Sequence, residues 1–211
     1  PGWNQVYLLL RGNKSYPSPF QRFQREILTS TIFDRLRNER PGHLKNRIEN
    51  SIHILEGDIT RPLLGLSETD FADLANRVDL IINSAASVDF REPLDSALQI
   101  NALSLKTIAG LANVKGIPVV HVSTCYVNGF NGGIIREEIA PPAKAQLPLL
   151  ADGRFDVTAL MEKLSSSAAK INARKEAEPE RYQQQIKLGL DQAKRHGWND
   201  TYTFTKWLGE Q

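Results

Sequence analysis

The stretch "VDLIIN" (Val78 to Asn83) is short and almost continuously aliphatic, and the small residues Ser84, Ala85 and Ala86 follow it. Apolar residues without alternation are what a parallel strand covered on both faces requires. Three other segments read in the same way: "QVYLLL" (Gln5 to Leu10), "SIHILEG" (Ser51 to Gly57) and "IPVVHVS" (Ile117 to Ser123). Helical spacing separates them, over Phe20 to Arg37, Ser67 to Asn76 and Pro93 to Val114, with Ser67 and Asp70 forming a capping box at one start. Strand and helix in alternation predict an α/β fold with a doubly wound parallel sheet. From Ala159 to His196 the pattern becomes a charge-rich helical pair, with Pro179 near the break, where a first helical turn tolerates it.

Composition narrows the function classes. The 211 residues are 41% hydrophobic and 24% charged, ordinary globular material with enough length for one sizeable core. A net charge of +2 gives no basic stripe, so no nucleic-acid partner is expected. One cysteine excludes an internal disulfide and a cysteine-based zinc site, which fits a reducing, cytoplasmic compartment. No apolar run reaches the roughly 18 residues a membrane span needs, and peripheral membrane attachment is left open. Pro1 is not a natural start and no signal peptide follows it, so the chain is expected to be a piece of a longer protein.

The last residues, "NDTYTFTKWLGEQ" (Asn199 to Gln211), carry chemistry. Tyr202 and Lys206 lie four apart and share one face of a helix. A phenol with a pKa near 10 is a poor acid at neutrality, and an ammonium beside it stabilises the phenolate and lowers that value. A hydroxyl from the end of a central strand, Thr124 or Ser123, would orient the same carbonyl oxygen. The other four tyrosines lack the lysine: Arg11, Phe20, Phe130 and Ile186 stand four residues after Tyr7, Tyr16, Tyr126 and Tyr182.

In order along the chain, "VYLLLRG", "LEGDIT", "DLIINSAASVDF", "INALSLKT", "HVSTCYVNG" and "WNDTYTFTKWLGEQ" resemble the extended short-chain dehydrogenase/reductases. Within them the chain is most similar to the fatty acyl-CoA reductases, the male-sterility-like or thioester reductase branch. The resemblance implies a Rossmann-like fold and NADPH-dependent reduction of a fatty acyl-CoA or acyl carrier protein thioester to an aldehyde, with further reduction to an alcohol undecided. It implies Tyr202 as proton donor and Lys206 as the residue that holds the nicotinamide ribose and tunes Tyr202. Thr124 matches the catalytic hydroxyl best, with Ser123 its rival. Asp58 matches the acid beside the adenine and Ile59 the residue packed on the ring. Asn83, Ser84, Ala85 and Ala86 match the small-residue loop over which the cofactor passes, and Asn101 the helix asparagine that organises the site, with Ser104 where the family has Gly. Arg11, with Lys14 and no carboxylate before Glu26, favours the 2′-phosphate of NADPH over the ribose of NADH. The alternative for Arg11 is a solvated strand-end arginine.

The family opens with a strand and a Gly-rich turn that hold the pyrophosphate, and neither precedes "QVYLLL". In the order 3-2-1-4-5-6 that strand is central. An incomplete sheet is therefore expected, with weak dinucleotide binding by this piece alone and self-association to cover the gap. The expected divisions are a truncated cofactor-binding core over 1–140, a helical insertion over 141–198 and the start of the catalytic helix over 199–211. His121 reads as a satisfied strand histidine, His196 as a cation at a helix C-terminus, and Cys125 as a small packed thiol. Rival functions are an extended reductase acting on a nucleotide sugar, which the long insertion argues against, and a non-catalytic cofactor-sensing domain, which the retained Thr124, Tyr202 and Lys206 argue against.

Overall fold

The structure, a computed structural model, describes residues 4–211. Contacts group the chain into two compact units, Pro1–Val78 and Asp79–Gln211.

In the first unit, β1 (Val6–Leu10) pairs in parallel with β2 (Ile52–Glu56), Val6 opposite Ile52 and Leu10 opposite Glu56. The helical stretch expected over Phe20 to Arg37 is broken. It comprises α1 (Pro19–Arg22), a π-turn over Phe23–Ile27, a 3-10 turn over Thr31–Phe33 and α2 (Asp34–Glu39). The break falls at Ser30, whose extended backbone and side chain cap the following turn, while Arg37 donates to the carbonyls of Leu28 and Ser30. An additional helix, α3 (Pro41–Ser51), carries too few apolar residues to announce itself by periodicity, but Pro41 begins it with a pre-set φ. Ser67 caps α4 (Glu68–Arg77) as expected, accepting from Asp70 N at 3.1 Å.

In the second unit, β3 (Ile81–Asn83) pairs in parallel with β4 (Val119–His121), which sets Asn83 opposite His121. Each parallel pair is the neighbour pairing expected of the Rossmann-like order, and among the described residues no strand joins the two pairs. The strands are not covered on both faces: Ile82, Val120 and Val122 are half or more exposed. Between β3 and β4 the expected helix is one continuous rod with a π-turn in its middle: α5 (Leu94–Leu98), the π-turn Gln99–Leu103 and α6 (Ser104–Asn113). The charge-rich pair is α7 (Thr158–Asn172) and α8 (Glu178–His196), with Pro179 in the first turn of α8.

The core of this unit is built around the last helix, α9 (Thr201–Glu210), capped by Asp200, which accepts from Thr203 N at 2.8 Å. Phe204, Trp207 and Leu208 are fully buried with Trp198, Leu94, Leu98 and Leu164. The indoles of Trp198 and Trp207 lie 4.6 Å apart and donate to the carbonyls of Val127 and Ala140, so each buried N–H is satisfied. Gly209 permits the close approach: a Cβ there would stand 2.4 Å from the Asn101 carbonyl oxygen and 2.9 Å from a Leu105 methyl.

Gly209→Ala should therefore lower stability by about 1–3 kcal/mol, the usual range for forced overpacking. Gly110, in α6 with nothing within 4 Å of an added Cβ, is the control: Gly110→Ala should raise stability by about 1 kcal/mol through helix propensity. Denaturant midpoints at unchanged m-value measure both.

Candidate active site

Lys206 is a buried charged group of the second unit. It is 1% exposed, and its ammonium donates to the Val122 carbonyl at 2.7 Å and lies 3.2 Å from His121 Nε2. Burial pushes its pKa below the ordinary lysine value, with Glu210 pulling the other way. The bond to Val122 fixes α9 against the end of β4, immediately before Ser123 and Thr124. One turn earlier on α9, Tyr202 is half-buried with its ring edge-on to Phe90 at 5.7 Å.

The two hydroxyls at the end of β4 differ in what they touch. Thr124 Oγ1 accepts from Tyr126 N at 3.3 Å, capping a short turn over Cys125–Asn128 and keeping its own proton free to donate. Ser123 Oγ is buried and has no protein partner. A buried hydroxyl left unpaired is unusual enough to call for a partner that the protein does not supply.

Asn101 sits in the π-turn, a geometry often found at functional sites. Its amide donates to Thr205 Oγ1 at 3.0 Å and to the Ser87 carbonyl at 3.1 Å, and accepts from Ser87 N at 2.9 Å. Thr205 in turn donates to the Thr201 carbonyl within α9. The loop after Asn83, Ser84, Ala85 and Ala86 is thus tied to α9 through one buried amide. Glu92 secures the same loop, accepting from Ser87 Oγ and Ser96 Oγ, each at 2.6 Å. Ser104 donates to the Ile100 carbonyl at 2.7 Å, a role that its glycine counterpart in the family lacks a side chain to fill. Ser87, Glu92 and Thr205 carry no sequence signal, because the contacts that join the loop to α9, Asn101 with Ser87 and Asn101 with Thr205, span 14 and 104 residues.

In the first unit, Arg11, Asp58, Gly57 and Arg61 line a cavity of about 360 Å³. Burial would raise the Asp58 carboxyl, but hydrogen bonds from Thr60 N and Oγ1 and the nearby Arg11 charge outweigh it and hold its pKa below the ordinary carboxylate value. Arg11 reaches Asp58 only at 3.5 Å and is largely exposed. Arg61, three residues past Asp58, brings a second guanidinium that the sequence reading did not single out. Ile59 is half-buried beside them.

Two other residues differ from expectation, and a third agrees with it. Cys125 is exposed, not packed, because the turn it begins carries Val127 inward instead. His196 is 6% exposed and stacks on Phe204 at 5.4 Å. Burial first, then Arg195 and Lys163, lower its pKa, so it is a neutral core residue and not a cation at a helix end. His121 is bonded, as expected of a satisfied strand histidine, but to Lys206 and Asn83. Among the described residues no cluster of His, Cys, Asp and Glu suits a metal ion, and no helix is long and apolar enough to cross a membrane.

Residues 1–211 match throughout the family NAD_binding_4, described as male sterility protein. The chain belongs to the male-sterility family. This male-sterility domain is 33% identical, over its whole length, to fatty acyl-CoA reductase 1 of Arabidopsis thaliana and 29% identical to the alcohol-forming fatty acyl-CoA reductase of Simmondsia chinensis. It spans 42% of the length of each. Fatty acyl-CoA reductase 1 of Mus musculus is 36% identical over 144 residues, 67% of this chain and 26% of that one. A solved structure, the terminal R domain from the myxalamid PKS-NRPS biosynthetic pathway, is similar over 98% of this chain and 37% of that one, at 20% identity and a TM-score of 0.48. The cofactor of the male-sterility domain is a nicotinamide dinucleotide. Within the first unit, two guanidiniums and a carboxylate line one cavity, a donor set that suits the phosphate and ribose of such a group. Within the second, the Ser123 hydroxyl is buried and unpaired next in sequence to the carbonyl that receives Lys206.

The buried histidine predicts an acid sensitivity. With a folded pKa below 6.5, its ordinary value, His196 binds fewer protons folded than unfolded. Stability is therefore complete above pH 6.5 and falls as pH drops from there through the folded pKa. His196→Leu should flatten that fall, measured as the denaturant midpoint between pH 7 and pH 5.

Proposed function

We propose that this domain carries the cofactor site and the proton donor for NADPH-dependent reduction of a fatty acyl thioester, on coenzyme A or an acyl carrier protein, to the aldehyde. The single observation behind this reading is the Lys206 clamp. A buried ammonium, one helical turn from Tyr202, is bonded to the last carbonyl before Ser123 and Thr124. The thioester substrate is taken from the relatives' name, fatty acyl-CoA reductase.

Bound NADPH supplies the hydride. Tyr202 gives its proton to the developing oxyanion, and Thr124, whose oxygen already accepts from Tyr126 N, donates its own hydrogen bond to the same oxygen. Lys206 holds the ribose; Asn83, Ser84, Ala85 and Ala86 form the loop beside the cofactor, pinned by Asn101. Cleavage of the carbon–sulfur bond then releases the thiol and the aldehyde. Arg11 and Arg61 grip the 2′-phosphate, Asp58 and Ile59 the adenosine. By this reading residues 1–140 form the cofactor core, 141–198 an insertion and 199–211 the catalytic helix.

In the full-length protein, Tyr202→Phe should cut thioester reduction at least about a hundredfold, the scale of a positioned general acid, with NADPH affinity nearly unchanged. Near-normal turnover, followed by NADPH absorbance, would remove Tyr202 from the mechanism. Arg11→Ala should weaken NADPH far more than NADH, since a guanidinium forks onto a phosphate. Titration of each cofactor measures the difference, and equal losses would make Arg11 structural.

A further inference from the structure

His121 lies at the junction of three elements. The parallel register sets it opposite Asn83 on β3, and the Asn83 amide nitrogen stands 3.0 Å from its Nδ1. Its Nε2 stands 3.2 Å from Lys206 Nζ on α9. Lys206 forms no salt bridge among the described residues, so this ammonium is buried on two uncharged acceptors, the Val122 carbonyl and the His121 ring.

An ammonium offers only donors. A charged Lys206 therefore needs Nε2 as the bare ring nitrogen, which places the single imidazole proton on Nδ1. Because an amide nitrogen and Nδ1–H are both donors, the Asn83 amide turns its oxygen to the ring and gives up the 3.2 Å bond from Ala85 N. A doubly protonated ring has no acceptor left and presents a second positive charge to Lys206. Its protonation is incompatible with the contact that holds Lys206 in place.

Resting on the reductase reading above, we propose that His121 is a positioning residue: its neutral imidazole bridges Asn83 to Lys206 and keeps the ammonium docked on the end of β4, in register with Tyr202 and Thr124. Protonation of His121 releases Lys206 from the end of β4 and takes its ammonium away from the strand-end hydroxyls.

The surroundings of the ring support this. His121 borders a cavity of about 790 Å³. From α6 only Leu105, Ile108 and Ala109 face it. From α9 come Lys206 and Glu210, and from the loop after β4 Cys125, Arg136, Glu137 and Glu138. Burial first and the Lys206 charge second lower the pKa of His121. The neutral ring is the form present at pH 7.

Two measurements test the proposal. Ring-proton NMR should show His121 titrating below the ordinary imidazole range, and the Lys206→Met protein should move that titration upward. A His121 titration unchanged by Lys206→Met overturns the bridge. In turnover, His121→Gln retains an acceptor for Lys206 but cannot be protonated. It should stay within about threefold of the natural protein at pH 7 and lose the acid limb of the kcat profile. His121→Phe, with no acceptor, should lower kcat by about tenfold or more, part of the roughly hundredfold that a positioned general acid supplies. An acid limb unchanged in His121→Gln, or full activity in His121→Phe, overturns the proposal. Failure of the thioester reading is distinguishable from both: the natural protein then reduces no acyl thioester, and the NMR linkage alone decides the bridge.

Discussion

The second unit depends on getting one ammonium out of water and giving it a partner. An unpaired buried charge is among the most unfavourable things a fold can contain, and Lys206 is buried with no salt bridge among the described residues. Only a main-chain carbonyl at the end of β4 and a ring on β4 receive it. Both acceptors exist only when the strand end and α9 are in register, so Lys206 ties the position of the helix to the position of the strand. The apolar residues on either side of it in α9, Phe204, Trp207 and Leu208, supply the burial that holds this arrangement.

The surrounding polar residues do the same work at shorter range. Asn101 uses both ends of its amide on the Ser87 main chain and one more proton on Thr205, so the loop after β3 follows α9 wherever it goes. Gly209 lets the helix come close enough for that contact. Tyr202, the strand-end hydroxyls and the small-residue loop therefore belong to one connected assembly, the condition for a site in which a misplacement of about 1 Å costs roughly a hundredfold in rate. Arg11, Asp58 and Arg61 form a separate group on the first unit, with the chemistry of anion recognition.

The sequence alone determined the alternation of strands and helices, the start of α4 at Ser67, the charge-rich pair α7 and α8 and the placing of Tyr202 and Lys206 on one helix. These follow from local rules: runs of β-branched residues, capping side chains and a period of 3.6. It also carried the family, because six short motifs stand in order. The local rules failed where the structure is irregular. The stretch over Phe20 to Arg37 breaks at Ser30, and the rod over Pro93 to Val114 holds a π-turn, since a one-residue change of hydrogen-bond partner leaves no mark on hydrophobic spacing.

Only the tertiary structure decided which polar groups meet. His121 and Lys206 are 85 residues apart, Asn83 and His121 38, and Asn101 and Thr205 104; no local pattern encodes such pairs. Whether a histidine is a cation at a helix end or a neutral ring in the core depends on what packs over it, as His196 beneath Phe204 illustrates, and the same holds for the exposed Cys125. Sequence sets each group's intrinsic chemistry. Burial and partner, which only the folded chain supplies, set its charge.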